Sequence, residues 1–183
     1  MKLNIGCGFK KEEGWINIDN DPLVYPDNIV NLGVDVLPFE DNTFDEVKAS
    51  HILEHIGDGY IFLLKEIYRV CKNNATIEIF APHHRSDWYY DDPTHCRAIT
   101  VNSFKLFSKK YIEQHIKDYN SSNGLAIKEG INLEIISASQ RYSQVWQERS
   151  KTIPPEQMAE IENSYYNVIE EIFVKLLVIK DEV

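Results

Sequence analysis

The chain has 183 residues, 43% hydrophobic and 26% charged, which suits about one folded domain and excludes collagen-like, low-complexity and disordered classes. With 19 Lys and Arg against 29 Asp and Glu, its formal net charge is −10 at pH 7. That sign makes nucleic acid an unlikely partner, because neutralising phosphates drives such affinity. No apolar run approaches the roughly 20 residues that span a bilayer. Cys7, Cys71 and Cys96 are odd in number and widely spaced. They read as reduced thiols and, with no signal-peptide pattern at the start, imply a cytoplasmic location.

In chain order, residues 2–5 (KLNI), 15–18 (WINI), 28–32 (NIVNL), 44–49 (FDEVKA) and 75–80 (ATIEIF) are short strand-like runs. Between the last two, Ile61, Leu64, Ile67, Tyr68 and Cys71 recur at helical spacing over 58–72. Strands alternating with helices predict an α/β fold with a doubly wound, mostly parallel sheet. Residues 82–100 (PHHRSDWYYDDPTHCRAIT) break the pattern and read as a functional loop. Residues 101–118 read as helical, capped by Asn102 or Ser103, with Phe104, Phe107, Tyr111 and Ile112 on one face. Residues 125–128 and 132–137 read as a hairpin about Glu129-Gly130. Ile161, Tyr165, Val168, Ile172, Phe173 and Leu176 predict one long amphipathic helix over 154–180. The expected organisation is a domain over 1–150, with a substrate loop at 82–100, followed by a C-terminal helix over 151–183 that belongs to the same domain or forms a homodimer seam.

The first strand runs into Gly6-Cys7-Gly8, a turn whose backbone can approach a ligand closely. A dinucleotide site needs a third glycine and a helix start near position 11, where Lys11 stands, so a cofactor without pyrophosphate is favoured. Asp19 ends the second strand, where a carboxylate can accept from ribose hydroxyls. Asn20-Asp21-Pro22 beside it is itself a turn signal.

LNIGCG, GWINID, DVLPFEDNTFDEVKASHILEHI and EIYRVCKNNATIEIFAP follow one another in order. Together with PHHRSD and DDPTHCRAITVNSF they resemble the class I S-adenosylmethionine-dependent methyltransferases, in particular a short subgroup whose helix after the glycine turn is reduced to a loop. The resemblance covers about residues 3–107. It implies a Rossmann-like sheet of seven strands with the last antiparallel, and S-adenosylmethionine as cofactor. Carried over by position, Gly6, Cys7 and Gly8 pass along the methionine part and Asp19 holds the ribose. Asp35 accepts from the adenine amino group, Val36 and Leu37 lie against the ring, and Ser50 and His51 border the sulfonium. With the first helix missing, backbone amides of residues 7–10, or Lys10 or Lys11, take the cofactor's carboxylate.

Methyl transfer from a sulfonium is an in-line displacement, so the protein's task is alignment and removal of the acceptor's proton. The candidates crowd the loop. His95 is the leading base, Asp92 its orienter, and His51 a further catalytic candidate. His83, His84 and Tyr89 are substrate-side residues, and Arg97 suits an acceptor's carboxylate or phosphate. The His and Asp spacing matches no tetrahedral zinc pattern, so no metal ligands are assigned. After the fourth strand, Ala49-Ser50-His51-Ile52 lacks both the Pro-Pro-aromatic run of amino-directed DNA enzymes and a Pro-Cys nucleophile. The expected activity is methyl transfer to an oxygen or nitrogen of a small-molecule or glycan acceptor, the glycan part by analogy alone. The alternative is a catalytically silent protein of the same fold that binds cofactor or a partner.

Overall fold

The computed structural model describes residues 1–119 and 124–181. Its centre is one seven-stranded sheet in the order β3-β2-β1-β4-β5-β7-β6. The strands are β1 (Lys2–Ile5), β2 (Ile16–Asp19), β3 (Asn28–Ile29), β4 (Phe44–Ser50), β5 (Cys71–Pro82), β6 (Leu133–Tyr142) and β7 (Ile169–Val178). The pairs from β3 through β5 are parallel, and β7 alone runs against its neighbours on both sides. The expected doubly wound sheet with an antiparallel last strand is what the chain forms.

One face of the sheet is continuous hydrocarbon. Leu3 and Ile5 of β1, Val47 and Ala49 of β4, Ile77 and Ile79 of β5 and Val174 and Leu176 of β7 are all buried in one cluster. Helix α1 (Tyr60–Val70) closes over it with Leu63, Leu64, Ile67 and Val70, an i, i+4, i+7 stripe. Burying such side chains stabilises by about 1.5–3 kcal/mol each. Alternate residues on the middle strands face the other way and, apart from the Phe80–Phe173 pair, are mostly polar, with ion pairs Lys2–Glu46 at 2.7 Å and Lys175–Glu78 at 2.9 Å. Helix α1 passes straight into β5, and the irregularity is absorbed near Asn74, whose φ of 64° is left-handed. Asn is among the few side chains that tolerate that region.

After β5 the loop carries one short turn of helix, α2 (Asp87–Tyr90), capped by Ser86. The predicted helix over 101–118 is broken into α3 (Val101–Phe104), a 3₁₀ turn and α4 (Lys109–Tyr119). The cap of α3 is Thr100, which accepts from Ser103 N, not Asn102 or Ser103. Phe104 and Phe107 enter the core as expected.

Two elements correct the sequence reading. Residues 125–129 form a helix, α5 (Leu125–Glu129), instead of the first arm of a hairpin. Gly130 ends it in the left-handed conformation with φ of 70°, a glycine helix cap that sequence alone cannot tell from a turn glycine. The long C-terminal helix is not formed either. After α6 (Gln144–Arg149), helix α7 (Pro155–Ser164) stops at Tyr165, and 169–178 is strand β7 between β5 and β6. Its apolar residues are buried in the sheet, so the expected seam helix is absent. Helices α6 and α7 instead pack a small second cluster of Met158, Val168 and Ile169 with Tyr142, Trp146, Ile153 and Ile161.

Candidate active site

A cleft of about 970 Å³ opens at the carboxyl ends of β1, β4 and β5. That is where ligands bind in open α/β sheets. Its first wall is the glycine turn. Gly6 and Gly8 adopt φ of 64° and 47°. A Cβ on Gly6 would lie 2.6 Å from the Ile52 side chain, whereas nothing stands within 4 Å of a Cβ on Gly8. Gly6 is therefore required by packing, and Gly8 leaves bare backbone beside open space.

No helix follows this turn. Two buried asparagines hold the loop instead. Asn4 Nδ2 donates to Asn17 Oδ1 and to Lys10 O. Asn17 Oδ1 accepts from Glu12 N, and its Nδ2 donates to the carbonyls of Glu12 and Trp15. The backbone amides of Cys7, Gly8 and Lys10 are engaged by Ile18 O, Asp19 Oδ2 and Cys7 O respectively. Lys11 is turned away onto Tyr25 O and Asp27. Lys10 and Lys48 are the cations that line the cleft, Lys48 paired with Glu12.

The second wall is the turn after β4 and the loop from Pro82. His51 has φ of 53°, a left-handed conformation that costs a non-glycine residue about 1 kcal/mol or more. Its Nε2 lies 2.6 Å from Glu171 Oε1, and its ring meets Trp88 edge-on at 5.9 Å. The neighbouring carboxylates, first Glu54 and then Glu171, raise its pKa above the usual imidazole value. Leu53, Glu54 and His55 form a single 3₁₀ turn that buries Glu54 completely. Neither carboxylate oxygen of Glu54 has a hydrogen-bond partner. His51 Nδ1 stands 3.5 Å away and His95 Nε2 4.0 Å away.

His95 is held through its other nitrogen, 2.7 Å from Tyr89 O, and its ring stacks on Tyr89 at 5.5 Å. A carbonyl only accepts, so Nδ1 carries a hydrogen, and in the neutral imidazole Nε2 then holds the lone pair. Asp92 lines the cleft but does not touch His95. Its Oδ1 accepts from Thr94 N and Thr94 Oγ1, and the latter lies 2.8 Å from His55 Nδ1. The orienter of His95 is thus a backbone carbonyl.

The cleft therefore gathers Gly6, Cys7, Gly8, Ser50, His51, Asp92 and His95 from the expected residues. Asp19, Asp35, Val36 and Leu37 lie outside its lining. Asp19 is half-buried beside Gly8, with its oxygens accepting from Gly8 N and Asp21 N. Asp35 is exposed and accepts from Asn31 N. Val36 is exposed, while Leu37 is buried in the core with its amide donating to Glu66. On the substrate side, burial holds His83 neutral, its pKa pushed down to about 4, and lowers that of His84 as well. Neither these two nor Tyr89 lines the cleft. Arg97 lies over the Tyr60 ring at 4.6 Å and donates to Gly57 O. Glu54, Glu171 and Asn4 carry no site signal in the sequence, and Trp88 stands out there only as one of the loop's aromatics. Glu54 sits in an apolar run that gives no sign of a buried charge, and Glu171 reaches the site only through β7.

The cofactor expected for such a cleft can be tested against these residues. Open space over Gly8 admits a ligand against bare backbone. The carboxylate of Asp19 has lone pairs left for hydroxyls after its two backbone bonds. The volume is within the range for ligands of that size. The residues fit.

Comparison with known proteins agrees with the geometry. Residues 14–79 match the family model described as a methyltransferase domain. An uncharacterised protein of Methanocaldococcus jannaschii is 29% identical over 133 residues, 65% of this chain and 52% of that protein, so the chain spans about half of that relative's length. The crystal structure of an S-adenosylmethionine-dependent methyltransferase from Archaeoglobus fulgidus superposes with a TM-score of 0.60 at 19% identity, over 96% of this chain and 85% of that one. The [4+2]-cyclase SpnF superposes with a TM-score of 0.57 at 14% identity, over 98% and 75%. The glycine turn, the strand order and the matched segment agree: the fold is the Rossmann-like one of S-adenosylmethionine-dependent methyltransferases, and residues 14–79 are similar to the methyltransferase domain family.

Proposed function

We propose that the protein transfers a methyl group from S-adenosylmethionine to an oxygen or nitrogen of a small-molecule or glycan acceptor. The observation that carries this reading is the two-walled cleft, with bare glycine backbone on one side and His51, His55, His95 and Trp88 on the other. The turn from Gly6 to Gly8 holds the methionine part, with Lys10 as the cation nearest its carboxylate. Asp19 receives the ribose. Asp35 and Val36, exposed and outside the lining of the cleft, are the adenine-side residues of this reading. The cofactor supplies an activated methyl on a positive sulfur.

The acceptor enters past Trp88, Asp91 and Pro93. Alignment of nucleophile, methyl carbon and sulfur at about 3–3.5 Å is the main contribution of the protein. Activation of the acceptor rests on His95, whose Nε2 lone pair is fixed by the anchoring of Nδ1 on Tyr89 O. Trp88 gives the acceptor side a flat apolar surface, which suits a sugar ring or an aromatic amine.

The test is incubation of the chain with S-adenosylmethionine and pools of hydroxylated and amino acceptors, read by mass spectrometry for products one CH₂ heavier and for S-adenosylhomocysteine. Cofactor binding by calorimetry with no product from any pool would favour the silent, cofactor-binding reading. The same fold in SpnF, described as a [4+2]-cyclase, is what keeps that second reading in view.

A further inference from the structure

Three acceptor groups converge under the acceptor wall with nothing donating between them. A carboxylate oxygen of Glu54 and one ring nitrogen each of His55 and His95 all lie within 4.8 Å of one another. Glu54 is fully buried and both its oxygens lack a partner. An ionised carboxylate in that position is strongly unfavourable unless a positive group completes it. The facing imidazole of His95 brings no hydrogen, since its Nδ1–H is committed to Tyr89 O at 2.7 Å and Nε2 faces Glu54 Oε1 as a lone pair.

The same logic applies to His55. Thr94 Oγ1 donates its hydrogen to Asp92 Oδ1, a carboxylate that can only accept, at 2.6 Å. Thr94 Oγ1 must then accept from His55 Nδ1 at 2.8 Å, which leaves Nε2 of His55 with its lone pair. Each imidazole therefore has one nitrogen held by an oxygen and the other free, the outer-shell arrangement of metal-ligating histidines. His51 gives Glu54 a partial countercharge through Nδ1 at 3.5 Å, but it is held on Glu171 through Nε2 and leaves both Glu54 oxygens without a hydrogen bond.

The geometry points to a binding site for a divalent first-row transition cation held by Glu54, His55 and His95. Two imidazoles and one carboxylate with open positions favour such a cation over Mg²⁺ or Ca²⁺. His55 and His95 line the cleft, so the open positions face the acceptor. This deepens the methyl-transfer reading and rests on it for its purpose. The cation would take the acceptor's hydroxyl oxygen and lower its pKa. The hydroxyl proton passes to water, an oxygen lone pair forms the new C–O bond, and the C–S bond breaks with its electron pair staying on sulfur. The sequence reading assigned no metal because the spacing of the loop's His and Asp residues matches no tetrahedral zinc pattern. Two of these three ligands come from the turn after β4, some forty residues earlier in the chain.

The test is a titration of the full chain, stripped of metal with a chelator, against Zn²⁺ and separately Mg²⁺ by calorimetry, with bound metal counted by elemental analysis. One Zn²⁺ per chain is expected, with Mg²⁺ at least about tenfold weaker. His55→Ala and His95→Ala each abolish stoichiometric binding, and Thr94→Val, which removes the oxygen holding His55, weakens it about 10–100-fold. Both histidines are partly exposed, so these variants do not depend on tolerating a change at buried Glu54. Folded protein that takes up no Zn²⁺, or equal uptake by the wild type and both histidine variants, would overturn the assignment. No turnover is needed for this measurement, so a failed search for acceptors leaves its result intact, and a failed titration leaves cofactor binding intact.

Discussion

Asp19 Oδ2 accepts a 2.8 Å hydrogen bond from the backbone amide of Gly8, tying the end of β2 to the turn that leaves β1. Its Oδ1 accepts from Asp21 N. One side chain thereby sets the shape of the glycine turn and, on the proposed reading, receives the ribose hydroxyls. Asp19→Ala is expected to weaken S-adenosylmethionine binding by about 1–3 kcal/mol, since it removes hydrogen bonds to a charged acceptor and loosens the turn. Calorimetry with the cofactor checks this. Binding at wild-type strength would place the ribose elsewhere.

His95 can be separated from the cofactor half of the cleft. His95→Ala is expected to lower turnover by about 10²–10⁴-fold, the range for losing a group that activates the acceptor. Cofactor affinity should stay within about twofold, because the contacts of His95 are with Tyr89 and the Glu54 side of the cleft. Equal losses of affinity and turnover would mean that it shapes the cofactor site instead.

Gly6 makes a prediction about folding. A Cβ at φ of 64° would lie 2.6 Å from Ile52 Cγ1 and 2.7 Å from its Cβ. Gly6→Ala should cost about 1–2 kcal/mol for the left-handed backbone and about 1–3 kcal/mol more for overpacking. Chemical denaturation measures the sum. In an Ile52→Gly background, which removes the Cβ as well as the branch, the overpacking part should largely vanish and the backbone part remain, so a fully additive double mutant would contradict the contact.

Glu66 makes a prediction about pH. It is buried and accepts from Arg69 through both oxygens, at 2.8 and 2.7 Å, and from Leu37 N at 2.8 Å. The Arg69 bonds, foremost, hold its pKa below the usual carboxylate value. A carboxyl with a depressed pKa in the folded state stabilises above its unfolded pKa of about 4.3, and the contribution is lost as pH falls through the folded value. Stability should therefore decline on acidification below about pH 4–5, and Glu66→Gln should flatten that part of the profile. At neutral pH the variant should be less stable by about 1.5–3 kcal/mol. Urea midpoints across pH 3–7 provide the comparison.

Most of the sheet was legible in the sequence because its strands are apolar runs closed by glycine, aspartate or asparagine, and α1 declares itself through Leu64 and Ile67. The segment over 154–180 was misread for a definite reason. Val168, Ile172 and Leu176 are four residues apart, and a spacing of four fits both a helix face and alternate positions of a strand. Val174 and Val178 decide the matter, since both are fully buried on the same side as Ile172 and Leu176. The glycine turn, His51 and His95 were visible as motifs. What Glu54 and His55 share with His95 was not, because that relation exists only once the loop over 93–97 folds back. There Cys96 N and Arg97 N bond to Glu54 O. Asp35 and Leu37 were placed by family position, but the hydrogen bonds from Asn31 N to Asp35 and from Leu37 N to Glu66 show what fixes them locally.

Strand β6 touches the sheet only through β7, which follows it in the chain. During synthesis from the ribosome, then, β6 emerges with no strand to pair with, resting on α3 and the 3₁₀ turn after it, until the segment after α7 has been made. The half-sheet β3-β2-β1-β4-β5 can assemble early, whereas Glu171 reaches His51 only when β7 threads into place. Acquisition of a competent cleft should therefore be the late, slow event in the life of a newly made chain.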